Sequence, residues 1–181
     1  MRSGARDFLP EPVNPAELLA AIAHVQKEAA RKPTERGTIH AFMSVAGGAG
    51  GSLIAGNIAH LLCAHAHRRT ALLDLDLNFA AVSHHLNLHP QRSLMAALDE
   101  VANLDEHALA GFAAEHPSGL RLFSAVAKNA ILSRDVAPDR LSSFVDLLAA
   151  HHQHVVIDVP HVIDGLTVTA LTMASEITLV L

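Results

Sequence analysis

The run Ala46-Gly47-Gly48-Ala49-Gly50-Gly51-Ser52, extended by Leu53, has the composition of a loop that wraps a phosphate. Glycine lets the backbone turn through positive φ and lets phosphate oxygens approach closely. Backbone amides ahead of a helix then supply the donors. A glycine run alone reads equally well as a flexible turn. Downstream, however, Leu72-Leu73-Asp74-Leu75-Asp76 and Val155-Val156-Ile157-Asp158-Val159-Pro160 each end an apolar stretch in carboxylates. Ligand and catalytic groups of open parallel sheets gather at the carboxyl ends of the strands, so three separate stretches point to one edge. The plainer alternative for Asp76 and Asp158 is a strand-end carboxylate that caps the next loop or helix.

The elements that must position these groups alternate. Residues 38–45 read as a strand, then come the glycine loop and a helix over about 52–67. Strands are predicted over 70–75, 120–125, 154–159 and 176–181, and helices over 94–101, 105–116, 138–151 and 165–173. The stripe Leu141, Phe144, Val145, Leu148 and Ala149 marks the buried face of the 138–151 helix. Alternation of this kind predicts an α/β fold, a parallel sheet with helices on both faces in three layers. Upstream, Phe8-Leu9-Pro10-Glu11-Pro12-Val13 is an extended piece, because its prolines oppose helix. Asn14, Pro15 and Glu17 then open a helix with a capping box, whose apolar face is Leu18, Ile22, Val25 and Ala29. The expected organisation is residues 1–32 as the tail of one domain, 33–37 as a linker and 38–181 as the sheet domain. The first helix lacks a preceding sheet and the last strand a closing helix, so the pattern predicts a fragment or truncated reading frame of a longer protein.

Composition narrows the classes. Half of the 181 residues are hydrophobic and 17% are charged, which fits a folded chain and not a disordered one. A formal charge of -5, without a dense Lys/Arg run, gives no footprint for nucleic acid. Cys63 is the sole cysteine, so no disulfide framework exists and a reducing, cytoplasmic setting fits. No apolar run reaches the roughly 18 residues a membrane span needs, so direct membrane insertion is not expected. Fourteen histidines invite a metal reading, but none has the His-Glu-x-x-His spacing, and most read as surface or helix-end residues.

The run Ser44 to Leu53, continuing to Asn57-Ile58-Ala59, resembles the deviant Walker A of MinD/ParA ATPases, written K-G-G-x-G-K-[ST]-T with a downstream Asn-Leu-Ala. More narrowly, Ala71 to Phe79 and Ser118-Gly119-Leu120-Arg121-Leu122-Phe123-Ser124-Ala125 resemble the CpaE/TadZ branch of Flp (Tad) pilus assembly proteins. Gly4 to Val13 resembles the last strand-loop-helix of a receiver domain, which that branch carries ahead of its ATPase domain. The resemblance implies ATP or ADP with Mg2+, a homodimer, pilus secretion components as partners, and a cytoplasmic location at the inner membrane face or cell pole. Position by position it implies that Gly47, Gly48, Ala49, Gly50, Gly51, Ser52 and Leu53 hold the nucleotide. Ser52 and Asp158 would hold magnesium, and Asp76 would act on the attacking water.

Departures from the pattern matter as much. Ala46 stands where the family has its signature lysine, Gly51 where it has the P-loop lysine, and Leu53 where it has a second threonine. Hydrogen bonds to charged groups contribute about 1.5–3 kcal/mol each. Losing one transition-state donor typically slows a reaction roughly 100- to 1000-fold. The expectation is therefore an ATPase scaffold with little or no hydrolysis, the alternative being an active ATPase for positioning or partitioning. Glu11 stands just before Pro12 where active receivers carry lysine, so phospho-switching is not expected. Gly51→Lys alone is expected to raise nucleotide affinity in a binding titration, while Ala46→Lys alone does little without a dimer.

Overall fold

The computed structural model describes Asn14, residues 36–126 and residues 130–181. The expectations for residues 1–32 and for most of the linker fall outside the described residues, and the fold below belongs to the unit Glu35–Leu181. Its sheet has six strands: β1 (Thr38–Ser44), β2 (Thr70–Asp74), β3 (Ala114–Glu115), β4 (Arg121–Phe123), β5 (His154–Val159) and β6 (Glu176–Val180). Their order across the sheet is β3-β4-β2-β5-β1-β6. Every pairing is parallel except β3 with β4.

Helices α1 (Gly51–Ala64), α2 (Ala81–His85), α3 (Leu94–Glu100), α4 (Glu106–Ala110), α5 (Pro138–His151) and α6 (Gly165–Met173) connect the strands. The central strands are buried on both faces, which is why β2 and β5 read as unbroken apolar runs and not as alternation. One face packs Phe42, Leu72, Leu122 and Val156 against Ala55, Ala59 and Cys63 of α1 and Val82 of α2. The opposite face packs Ile39, Leu73, Phe123 and Ile157 against Leu141, Phe144 and Leu148 of α5, with α3, α4 and α6 around them. Phe123 and Phe144 meet edge to face at 5.4 Å between centroids.

Two expectations need correction. The helix expected over 105–116 stops at Ala110, and Ala114–Glu115 pairs antiparallel with β4. Gly111 closes the short helix, Phe112 turns into the core, and Arg92 stacks over the Phe112 ring 3.6 Å from its centroid. Burying Phe112 outweighs continuing the helix. The sheet is thus parallel with one antiparallel edge strand. Histidines also depart from their surface reading. His152 is buried, its Nδ1 set 2.9 Å from the Leu148 carbonyl, and burial lowers its pKa to about 4. His40 and His154 lie 3.1 Å apart across β1 and β5, with Glu176 2.9 Å from the far nitrogen of His40.

No described helix is long and apolar enough to cross a membrane. Phe144→Ala removes the ring that joins α5 to the sheet and is expected to destabilise the fold by about 3–5 kcal/mol, measured by chemical denaturation.

Candidate functional site

The site is set by strand order. β5 lies between β1 and β2, so Asp158 near its carboxyl end sits between the glycine loop leaving β1 and the carboxylates leaving β2. In register Asp158 is opposite Asp74 on one side and Phe42 on the other. These three strands bring the loop, Asp74, Asp76 and Asp158 to one edge.

The loop leaves the sheet with Val45 N–H donating to Val180 of β6 at 2.9 Å. Gly48 and Gly50 have φ of 84° and 91°, and a Cβ at either would touch nothing within 4 Å. Glycine is therefore required there by backbone conformation and not by space. Gly50 is also the N-cap of α1, without a side-chain cap. The first amides of a helix have no intrahelical acceptor, so those of Ser52 and Leu53 are available to an anion.

Gly51 is different. Its N–H already donates to the Ser44 hydroxyl at 3.0 Å, and a Cβ there would stand 2.3 Å from that oxygen. The lysine-restoring substitution therefore meets an obstacle that the sequence did not reveal. Ser44 must rotate and release the amide before a side chain at 51 can be seated.

Carboxylates crowd the edge. Asp74 is fully buried and accepts hydrogen bonds from the Asp76 amide at 3.0 Å and the Ser124 hydroxyl at 3.3 Å. Burial first, then the charge of Asp158, pushes the Asp74 pKa up to about 7. Asp158 is raised as well by burial, against the opposing hydrogen bond from Ser52. Asp76 is half-buried, and its Oδ1 accepts from the amides of Asn78 and Phe79 at 3.2 and 3.1 Å. Asp76 thus does cap the turn after β2, as the plainer reading had it, with Asp74 bonded to the same turn, while Asp76 also faces the cleft. Asn78 holds that turn by exchanging two 2.9 Å hydrogen bonds with the backbone of Ile131.

Together these residues line a cleft of about 460 Å³ that takes in Gly47, Gly48, Gly50, Gly51, Ser52 and Leu53. Asp76 and Asp158 also line it, but Ala49 does not. Asn57, expected on the helix after the loop, turns its amide to the Leu53 carbonyl at 2.7 Å. The sequence reading missed Ser44 and two histidines, His85 and His161, that also line the cleft. His161 follows Asp158 by three residues, a proximity that could have flagged it. His85 comes from α2, a five-residue helix too short to show a helical pattern.

Among the described residues that line the cleft there is no lysine or arginine. The chain's lysines, Lys27, Lys32 and Lys128, lie outside the described residues. The hydroxyl of Ser52 and the carboxylate of Asp158 are hydrogen-bonded oxygen donors, a set that suits a hard cation such as magnesium. Among the described residues no three His, Cys, Asp or Glu side chains converge as a metal cluster of their own.

No family model matches the sequence, and no curated protein matches it. Solved structures do resemble the fold. A ParA family ATPase from Chlorobium tepidum TLS superposes with a TM-score of 0.69 at 23% identity, covering 79% of this chain and 59% of that one. The cell division ATPase MinD of Pyrococcus furiosus gives 0.65 at 21% identity, covering 80% and 59%. Cobyrinic acid a,c-diamide synthase of Mycobacterium smegmatis, solved with ADP and magnesium, gives 0.62 at 21% identity, also covering 80% and 59%. The fold is therefore a P-loop NTPase-like α/β fold similar to that of these proteins, and the chain spans under two thirds of their length.

The Asp74 shift carries a stability prediction. A carboxyl whose folded pKa lies above its unfolded 3.8 favours the folded state below that value, and the advantage is lost as pH rises to about 7. Asp74→Asn, neutral throughout, is expected to stabilise the fold near pH 8 by on the order of a few kcal/mol and to change little near pH 4. Thermal melts at the two pH values check this.

Proposed function

We propose that the chain is a degenerate nucleotide-binding scaffold of the MinD/ParA type that serves assembly and localisation of the Flp (Tad) pilus machinery. One observation carries the reading. The glycine loop, the helix after it and the strand-end carboxylates converge on one cleft, and among the described residues that line it there is no lysine or arginine. ADP or ATP would be held by the loop amides, with Ser52 and Asp158 as the residues that hold magnesium. Magnesium, when bound, neutralises phosphate charge. Asp76, which lines the cleft, would orient the attacking water. Without a fixed positive charge, developing negative charge in phosphoryl transfer lacks its main stabiliser, so turnover is slow or absent.

Assembly by surface contact is supported by apolar groups exposed around the cleft and along α1. Ile54, Ile58 and Leu61 recur at i, i+4 and i+7 on the outer side of that helix, whose inner side is already buried. Phe79, Val162 and Ile163 are exposed near the cleft, at 79%, 53% and 67%. Apolar surface of this kind marks interaction sites. A homodimer formed across the cleft and a partner seated on α1 would both use it.

The pilus assignment rests on the sequence resemblance. The competing reading is an active positioning or partitioning ATPase. Deleting the chain is expected to remove surface pilin while leaving chromosome partition and septum placement unchanged; a partition or septum defect with normal pili favours the competitor. At the site, Gly51→Lys combined with Ser44→Ala is expected to bind Mg-ATP at least tenfold tighter than wild type, as one added charge-assisted bond would give. Gly51→Lys alone gains less, because the Ser44 hydroxyl fills the Cβ position. No gain in the double variant would show that the loop is not a phosphate cradle.

A further inference from the structure

Ser44 ends β1 beside the start of α1. Its hydroxyl accepts from the Gly51 amide at 3.0 Å and lies 2.3 Å from where a Cβ on Gly51 would be, in space that any larger residue at 51 would claim. When an anion binds ahead of a helix, it is the first backbone N–H groups that point at it. An oxygen 3.0 Å from that nitrogen stands where an oxygen of the anion would come. Ser44 and Gly51 line the cleft together with Gly48, Gly50 and Ser52, so this contact is made inside it. We propose that Ser44 is a built-in competitor for phosphate: its hydroxyl holds the Gly51 amide in the empty cleft and must leave before an anion can take that amide. This rests on the nucleotide-site reading above and adds to it a contact that holds affinity down.

The contact is held from both ends. Ser44 is the register partner of Val180 on β6, and the next residue, Val45, donates to the Val180 carbonyl at 2.9 Å. The strand end that carries the hydroxyl is thereby fixed to the sheet. Across the loop, the Ala49 amide donates to the Ala46 carbonyl at 3.3 Å, so the loop is closed on itself at a second point. The Ile54 amide returns to the Gly50 carbonyl at 3.0 Å and starts the helix. Gly50, the N-cap, has no side chain to offer an acceptor, and the hydroxyl from Ser44 supplies one to the amide that follows. Glycine at 51 is what admits it, because a Cβ and the hydroxyl cannot share that space. The missing side chain and the occupied amide are thus one arrangement. A bond between neutral groups shifts an equilibrium a few-fold, so the contact tunes anion affinity and does not abolish it.

The test is the affinity of the full chain for ADP and for inorganic pyrophosphate, at one magnesium concentration. Ser44→Ala removes the competitor and is expected to bind both about fivefold tighter than wild type. Gly51→Ala adds no charge, but its Cβ displaces the hydroxyl, and a similar gain is expected. Both substitutions act on one bond, so Ser44→Ala/Gly51→Ala is expected to gain no more than either alone. Ser44→Thr keeps a hydroxyl and is expected to stay near wild type. Slow solvent exchange of the Gly51 amide in the ligand-free wild type, followed by NMR, is expected too and needs no substitution; fast exchange would overturn the contact. Weaker binding by Ser44→Ala would make the hydroxyl a donor to phosphate or a support of the loop, and overturns the proposal. A gain for ADP without one for pyrophosphate places the effect away from the phosphates and also overturns it. Unchanged affinity in both single variants, or gains that add, do the same and leave the nucleotide site itself standing. Failure of every protein, Ser44→Ala/Gly51→Lys included, to bind ADP or pyrophosphate overturns the nucleotide reading and this inference with it.

Discussion

The closeness of Asp74 and Asp158 is the constraint on which the rest of the cleft depends. They are register partners on adjacent parallel strands, and both are withdrawn from water. Two carboxylates so placed raise each other's affinity for a proton or for a cation. A backbone amide and two hydroxyls donate to the pair, and burial beside Asp158 raises the pKa of Asp74. An anion entering this edge needs charge brought from elsewhere, as from a divalent cation held through Ser52 and Asp158.

That constraint follows from topology. β5 is inserted between β1 and β2, so the chain leaves the first strand on one side of Asp158 and returns from the second on the other. The crevice between them is where open α/β sheets take their ligands. The two buried helical layers hold the strands in this order, and the turns after β2 are fixed by Asp76 and by the Asn78–Ile131 exchange. His85 and His161 sit on a short helix end and a strand-end turn, both exposed.

Much of this could be read from the residues. The apolar runs of β2 and β5 and the helical stripe of α5 are strong periodic signals, and the helices over 138–151 and 165–173 fall where expected. The loop and Asp76 and Asp158 converge because strand ends converge, which the alternation already implied. Other features depend on contacts between distant parts of the chain. The strand Ala114–Glu115 exists because Phe112 turns into the core and Arg92 covers it, a pairing no local pattern encodes. The Ser44 hydroxyl bonded to Gly51, seven residues on, was likewise invisible, as were the rings of His85 and His161 beside the loop. The pairing of His40 with His154 across two strands shows the same limit for histidine roles.

The central claim is a phosphate-binding cleft that has lost its motor. Measuring Mg-ATP binding and phosphate release on the same preparation of the full chain tests it most directly. The account predicts saturable binding accompanied by phosphate release at least 100-fold slower than that of a lysine-bearing relative, the loss expected for one missing transition-state donor. Turnover comparable to that relative would contradict it.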